Sequence, residues 1–241
     1  MKIKLFCFPY AGGSAAIYNS WHKHIGAAIE LIPVELTGRG RRIADPLYRD
    51  MDEMIDELFD FVHAQLNTDA PYALFGHSMG AIAAYEIGRR TVHRGLNAPL
   101  HIFFSGRAAP DTDPREKQYH LMPEDQFRAE LINLGGTPPE FFENEELMDL
   151  YLPMLKNDFK LAETAVWKSD GFQFASDITV FTGKQDELLA GKIEGWKQQT
   201  EGKCTIHYFE GGHFFLHQEY KEMIKLIRHE LKDRNMDLIS Y

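Results

Sequence analysis

The sequence predicts an α/β fold in which a mostly parallel central sheet is flanked by helices and carries a helical insertion. Three observations point there. Short β-rich runs, several of them nearly continuous in apolar residues, alternate with amphipathic helical patterns along most of the chain. Parallel strands covered on both faces have that apolar continuity, and strand–helix alternation with right-handed crossovers builds such a sheet. The third observation is a break in the rhythm: from Pro110 to Trp167 no strand pattern is found.

The expected strands run Lys2–Phe8, Ile29–Glu35, Tyr72–Phe75, His101–Ser105, Ile178–Thr182 and Cys204–Phe209. Met51, Met54, Ile55, Leu58, Phe61 and Val62 form one apolar helical stripe, with Asp52, Glu53, Asp56 and Glu57 facing away. Tyr220, Met223, Ile224, Ile227 and Leu231 form another near the end. The insertion reads as short helices: Glu124–Leu134, a stop at Gly135-Gly136, then a helix from Glu145 onward interrupted by Pro153. Leu147, Leu150, Tyr151, Leu152, Met154, Leu155 and Phe159 leave that second stretch little polar surface. Residues 110–167 are therefore expected to form a lid over an apolar substrate, the alternative being a further part of the core.

A chain of 241 residues suits one domain spanning 1–241, and no linker, repeat or low-complexity tract divides it. The two cysteines, Cys7 and Cys204, lie in strand-like runs and are expected to be buried free thiols rather than a disulfide or metal site. The first apolar run is too short for a signal peptide, and no stretch has the length of a membrane span, so a cytoplasmic protein is expected. A net charge of −10 leaves no excess of Lys and Arg to neutralise phosphates, which excludes a general nucleic-acid binder.

The most informative local pattern is Gly76-His77-Ser78-Met79-Gly80, which fits G-x-S-x-G between a strand and a helix of small residues. A nucleophile on so tight a strand-to-helix turn needs small neighbours, because Cβ atoms would clash there. The turn lifts the hydroxyl out of the sheet and aims a helix N-terminus at the reacting carbonyl. Ser78 is thus the candidate nucleophile of an α/β-hydrolase fold, and the Met79 amide one oxyanion donor. Serine needs a base. Of the 11 histidines, His213 stands out on a loop after Cys204–Phe209 and Gly211-Gly212 and before the last helix. His77 lies inside the elbow and points wrongly for a base, and His22 and His24 are too close in sequence to share a helix face. Asp186, just after the strand Ile178–Thr182, completes the chain order Ser, Asp, His. Asp111 and Asp113 compete for that role, and Glu187 sits one position off. The Ala11 amide, in Phe8-Pro9-Tyr10-Ala11-Gly12-Gly13-Ser14, is expected to be the second oxyanion donor. Ser14 doubles as a helix N-cap there and lacks the elbow of a nucleophile.

Five segments together resemble the type II thioesterases: Phe8-Pro9-Tyr10-Ala11-Gly12-Gly13, Gly38-Arg39-Gly40 with Arg42, Gly76-His77-Ser78-Met79-Gly80-Ala81, Ser105-Gly106-Arg107 and Gly211-Gly212-His213-Phe214. The resemblance extends over essentially the whole chain. It implies an α/β-hydrolase that cleaves acyl or aminoacyl thioesters from the 4′-phosphopantetheine arm of carrier-protein domains, clearing misloaded or stalled nonribosomal peptide and polyketide synthases. By position it assigns Ser78, Asp186 and His213 to the triad and Met79 and Ala11 to the oxyanion hole. It implies no cofactor and no metal, only a substrate carried on a partner's arm; charge and hydropathy give no nucleic-acid or membrane partner, and a monomer is expected. Thr37 departs from the proline that relatives often place before Gly38-Arg39-Gly40. Arg39, Arg41 and Arg42 are expected in structural ion pairs, with the pantetheine phosphate as the alternative. The rival functions are a small-molecule carboxylesterase or lipase and a non-catalytic hydrolase-fold binding module.

Overall fold

The computed structural model describes residues 2–66, 70–112, 117–136, 141, 144–166, 169–189 and 192–239, with side chains of the last helix described up to residue 232. Six strands form one sheet: β1 (Ile3–Phe8), β2 (Ile29–Pro33), β3 (Tyr72–His77), β4 (His101–Ser105), β5 (Asp177–Gly183) and β6 (Cys204–Phe209). Their order is β2-β1-β3-β4-β5-β6, and every neighbouring pair is parallel. Among the described residues five α-helices accompany them: α1 (Met51–Gln65), α2 (Met79–His93), α3 (Glu124–Leu134), α4 (Glu145–Thr164) and α5 (Leu216–Ile239). No described helix is long and apolar enough to cross a membrane.

The two-residue period of the strands sorts their side chains into two apolar layers. Phe6, Phe8, Leu74, Ile102, Phe104, Ile178 and Val180 face one way, against Met54, Ile55, Leu58 and Val62 of α1 and Ile82, Tyr85 and Ile87 of α2. Leu5, Cys7, Ala73, Phe75, Phe103 and Phe181 face the other, against Tyr18, Trp21 and the Met223, Ile224, Ile227 and Leu231 stripe of α5. The central strands β3 and β4 are buried at every residue, as their apolar continuity demands. α1 starts where Asp50 accepts a hydrogen bond from the Glu53 amide, with Asp52 and Glu53 complementing the helix dipole. Phe59 joins its buried stripe, while Phe61 is only half-buried.

A third cluster belongs to the insertion. Phe127 and Leu131 of α3 meet Met148, Leu152, Met154, Leu155 and Phe159 of α4, together with Tyr119. Gly135 ends α3 in the left-handed conformation, as Gly135-Gly136 predicts. Pro153 does not interrupt α4, which runs through it for 20 residues. The ring costs the Asp149 carbonyl its intrahelical donor, but Asp149 is exposed and water can replace that bond. Burial of Met148 and Leu152 before the proline, and of Leu155 and Phe159 after it, holds the helix in one piece. Cys7 is buried as expected, whereas Cys204 on the edge strand is half-buried; both thiols are free.

Candidate active site

The candidate site lies where the parallel strands end, the position at which an open α/β sheet presents its loops. Ser78 follows β3 with φ 55° and ψ −110°, a conformation that an L residue adopts only when its surroundings force it. Its amide donates to the Ser105 carbonyl at 2.8 Å, tying the elbow to the end of β4. A Cβ on Gly76 would overlap the Gly80 carbonyl, and one on Gly80 would overlap the Phe8 and Pro9 backbone. The two motif glycines therefore let α2 close over the elbow and let the loop after β1 approach Ser78.

The same device joins the other two loops. A Cβ on Gly183, at the end of β5, would overlap the Gly211 and Gly212 carbonyls. The Gln185 amide donates to the Gly211 carbonyl at 3.0 Å, and the Gly211 amide donates to the Gln185 side chain at 2.6 Å. Thus stitched, His213 Nδ1 lies 2.8 Å from Asp186 Oδ2, and His213 Nε2 lies 3.0 Å from Ser78 Oγ. The carboxylate can only accept, so Nδ1 carries the proton and Nε2 is left to accept from the serine hydroxyl. Asp186 Oδ1 takes the Leu188 amide at 3.1 Å, so both carboxylate oxygens are engaged. All three side chains belong to residues at most 9% exposed.

Asp111, a rival acid, instead accepts from the Ser169 amide at 2.9 Å at an exposed position; Asp113 lies outside the described residues. Glu187 opens a short 3-10 turn beyond Asp186. Ser14 accepts from the Ala16 amide, the N-cap role. His77 points its Nδ1 at Ser105 Oγ, 2.8 Å away, and burial holds its pKa well below the ordinary imidazole value. A neutral ring therefore stands 5.2 Å from the His213 ring. Among the described residues the Ala11 and Met79 amides have no protein acceptor, whereas the adjoining Gly12, Gly13 and Ser78 amides are all engaged.

Two cavities lie beside this site and share Leu134 as a wall. One, of about 760 Å³, is polar and bordered by Lys117, Tyr119, Glu130, Gln185, Asp186 and His213. The other, of about 220 Å³, is bordered by Ala11, Gly12, Leu131, Tyr151, Met154, Leu155, Phe159 and Phe214. The arginines Arg39, Arg41 and Arg42 border neither cavity. Arg39 is buried against Asp158, Arg42 pairs with Glu57 and Asp45, and Arg41 is exposed. Asp158 has no place among the residues singled out in the sequence. Its signal was a lone carboxylate beside Leu155 and Phe159 on the apolar stripe of α4.

The family model for the thioesterase domain matches residues 3–231. The chain is 38% identical over 236 residues to the linear gramicidin dehydrogenase LgrE of Brevibacillus parabrevis, covering 96% of this chain and 88% of that one. The crystal structure of ClbQ from the colibactin NRPS/PKS pathway superposes with a TM-score of 0.92 at 32% identity, covering 98% of this chain and 99% of that one. YbtT, a type II thioesterase from the yersiniabactin NRPS/PKS pathway, superposes with a TM-score of 0.84 at 29% identity over 97% of this chain and 94% of that one. The family model and both structures agree with the fold described above. This chain belongs to the thioesterase family, as a type II thioesterase on the α/β-hydrolase fold.

Proposed function

We propose that this enzyme hydrolyses acyl or aminoacyl thioesters on the 4′-phosphopantetheine arm of carrier-protein domains and so clears misloaded or stalled synthases. The observation that carries this is the Ser78–His213–Asp186 relay set between a polar and an apolar cavity. The polar cavity suits an arm rich in amides, and the apolar one suits an acyl group, with α3 and α4 as its lid.

In the first step His213 Nε2 takes the Ser78 proton as Oγ attacks the thioester carbonyl. The oxygen turns negative and is held by the Ala11 and Met79 amides, at the N-terminus of α2. Asp186 stabilises the imidazolium. Collapse breaks the C–S bond, and the thiol leaves with the proton from His213. Water, deprotonated by the same nitrogen, then attacks the acyl-serine, releasing the acid and restoring Ser78.

The test compares carrier proteins loaded with acetyl, longer acyl and aminoacyl groups against the matching free pantetheine thioesters and a simple aryl ester. Higher kcat/KM on the loaded carrier supports the proposal. Equal rates on carrier and free arm indicate a general thioesterase, and faster aryl-ester cleavage a carboxylesterase.

A further inference from the structure

We propose that Arg39 and Asp158 are positioning residues that clamp the oxyanion loop to helix α4, so that the Ala11 amide is correctly aimed only while that helix is seated. This rests on the reading of Ala11 as an oxyanion donor and extends it to two side chains outside the triad.

The two side chains form a fork: Arg39 Nη1 donates to Asp158 Oδ2 at 2.6 Å, and Nη2 to Oδ1 at 2.7 Å. The residues are only 2% and 1% exposed. Replacing a buried pair of this kind by apolar residues of similar volume often leaves stability unchanged or raised, so stability alone does not account for it. What distinguishes this pair is where its remaining hydrogen bonds go. Asp158 Oδ2 also accepts from the Gly12 amide at 2.7 Å, and Arg39 Nη1 also donates to the Gly13 carbonyl at 3.0 Å. Arg39 Nε donates to the Thr37 carbonyl at 3.1 Å, which fixes the guanidinium plane. The pair thus grips the turn by an N–H on one side and a C=O on the other.

That grip reaches Ala11 through rigid geometry. The Ala11 N–H and the Tyr10 C=O belong to one planar trans peptide and point in opposite directions. The Tyr10 carbonyl accepts from the Gly13 amide at 2.8 Å, so Gly13 sets the direction in which the Ala11 N–H points. Gly13 is held by Arg39, and the Ala11–Gly12 peptide by Asp158. Gly12 has φ +82°, and a Cβ there would overlap Leu155 of α4, so this turn is built to lie against the helix. Asp158 and Leu155, a turn apart on α4, are therefore the points through which the insertion sets the oxyanion hole.

The decisive variant is the double substitution Arg39→Met/Asp158→Leu, which removes both charges together and strands neither. We expect kcat on an acyl-pantetheine thioester to fall about 10–100-fold with KM changed less than about threefold, because losing or misplacing an oxyanion donor costs on the order of 10²-fold. A general loss of folded enzyme would lower every rate alike. The specific readout is therefore the rate ratio between the thioester and its dithioester, in which a sulfur replaces the carbonyl oxygen. Sulfur is a weak hydrogen-bond acceptor and gains little from the amides, so the ratio should drop about tenfold. If the double variant does not fold, Arg39→Lys carries the test. It keeps the buried charge but not the fork, and the ratio should fall about threefold. Folded variants with wild-type kcat and an unchanged ratio would overturn the clamp alone. Activity retained in Ser78→Ala would overturn the reading of the site beneath it.

Discussion

At the sheet's edge, Ser78, Asp186 and His213 are held by backbone: a strained elbow, glycines in contact with carbonyls, and amide–carbonyl bonds between loops. Across the apolar cavity, α3 and α4 contribute Leu131, Met154, Leu155 and Phe159, held by side-chain packing in a cluster of their own. The contrast separates two tasks. Chemistry needs atoms fixed to within tenths of an ångström, which a hydrogen-bonded sheet supplies; the proposed acyl pocket needs apolar volume, which helix packing supplies and can alter without moving the proposed triad. Asp158 is the exception, a buried charge on the insertion that reaches back to the sheet side.

The sharpest break of this comparison is Ser78→Ala. It should lower kcat by at least about 10⁴-fold while leaving the melting temperature within about 2 °C, since it deletes one hydroxyl and no packing. Steady-state kinetics and a thermal melt on the same sample check both halves. Next in size, Phe104→Ala in the sheet core should cost about 3–5 kcal/mol, because that ring is fully buried and stacked on Trp196 with centroids 3.9 Å apart. Phe159→Ala, whose ring borders the cavity, should cost less, about 1–3 kcal/mol, and shift acyl preference toward bulkier groups. Urea melts and a chain-length panel distinguish the two.

A smaller effect follows from His77. Its folded-state pKa is lowered by burial, then by His213 and His217, so it folds neutral while the unfolded chain titrates near 6.5. The stability it contributes is fully present above about pH 6.5 and is lost as pH falls below that value. His63, His207 and His217 are lowered by burial in the same sense. Urea midpoints should therefore decline from about pH 7 to 5.5, and His77→Gln should flatten part of that decline. The smallest is Asn144→Ala, which removes the acceptor for the Leu147 amide at the start of α4 and should cost about 1 kcal/mol. Faster amide exchange confined to the first turns of α4, with kcat unchanged, would mark the insertion as energetically separate.

Much of the sheet side could be read from the chain. The strands end at signals that survive without tertiary context: Gly76 and Gly80 around the elbow, Gly183 before Asp186, Gly211-Gly212 before His213. Gly76, Gly80 and Gly183 mark backbone approaches that a Cβ would block, and Gly211 has a φ of +106° that favours glycine, so residue type and position carry the geometry. The insertion was harder. Its helices and the Gly135 stop were legible from periodicity, but Pro153 pointed to a break that burial on both sides of it overrides. Whether Asp111 or Asp186 faces His213 was also open, because both follow strands; the register that sets β5 beside β6 brings Asp186 to the ring and leaves Asp111 bonded to Ser169.

By itself, then, the sequence determined the fold class and marked the candidate nucleophile and base, because each follows local rules of chain geometry that need no distant partner. Only the tertiary structure decided what Arg39 does. Its partner lies 119 residues away on another element, and both charges are driven out of solvent by the packing of α4. The sequence suggests an ion pair or a phosphate contact for Arg39 but names no partner. Arg39 becomes a clamp only when burial removes water and leaves one carboxylate and two carbonyls as its partners.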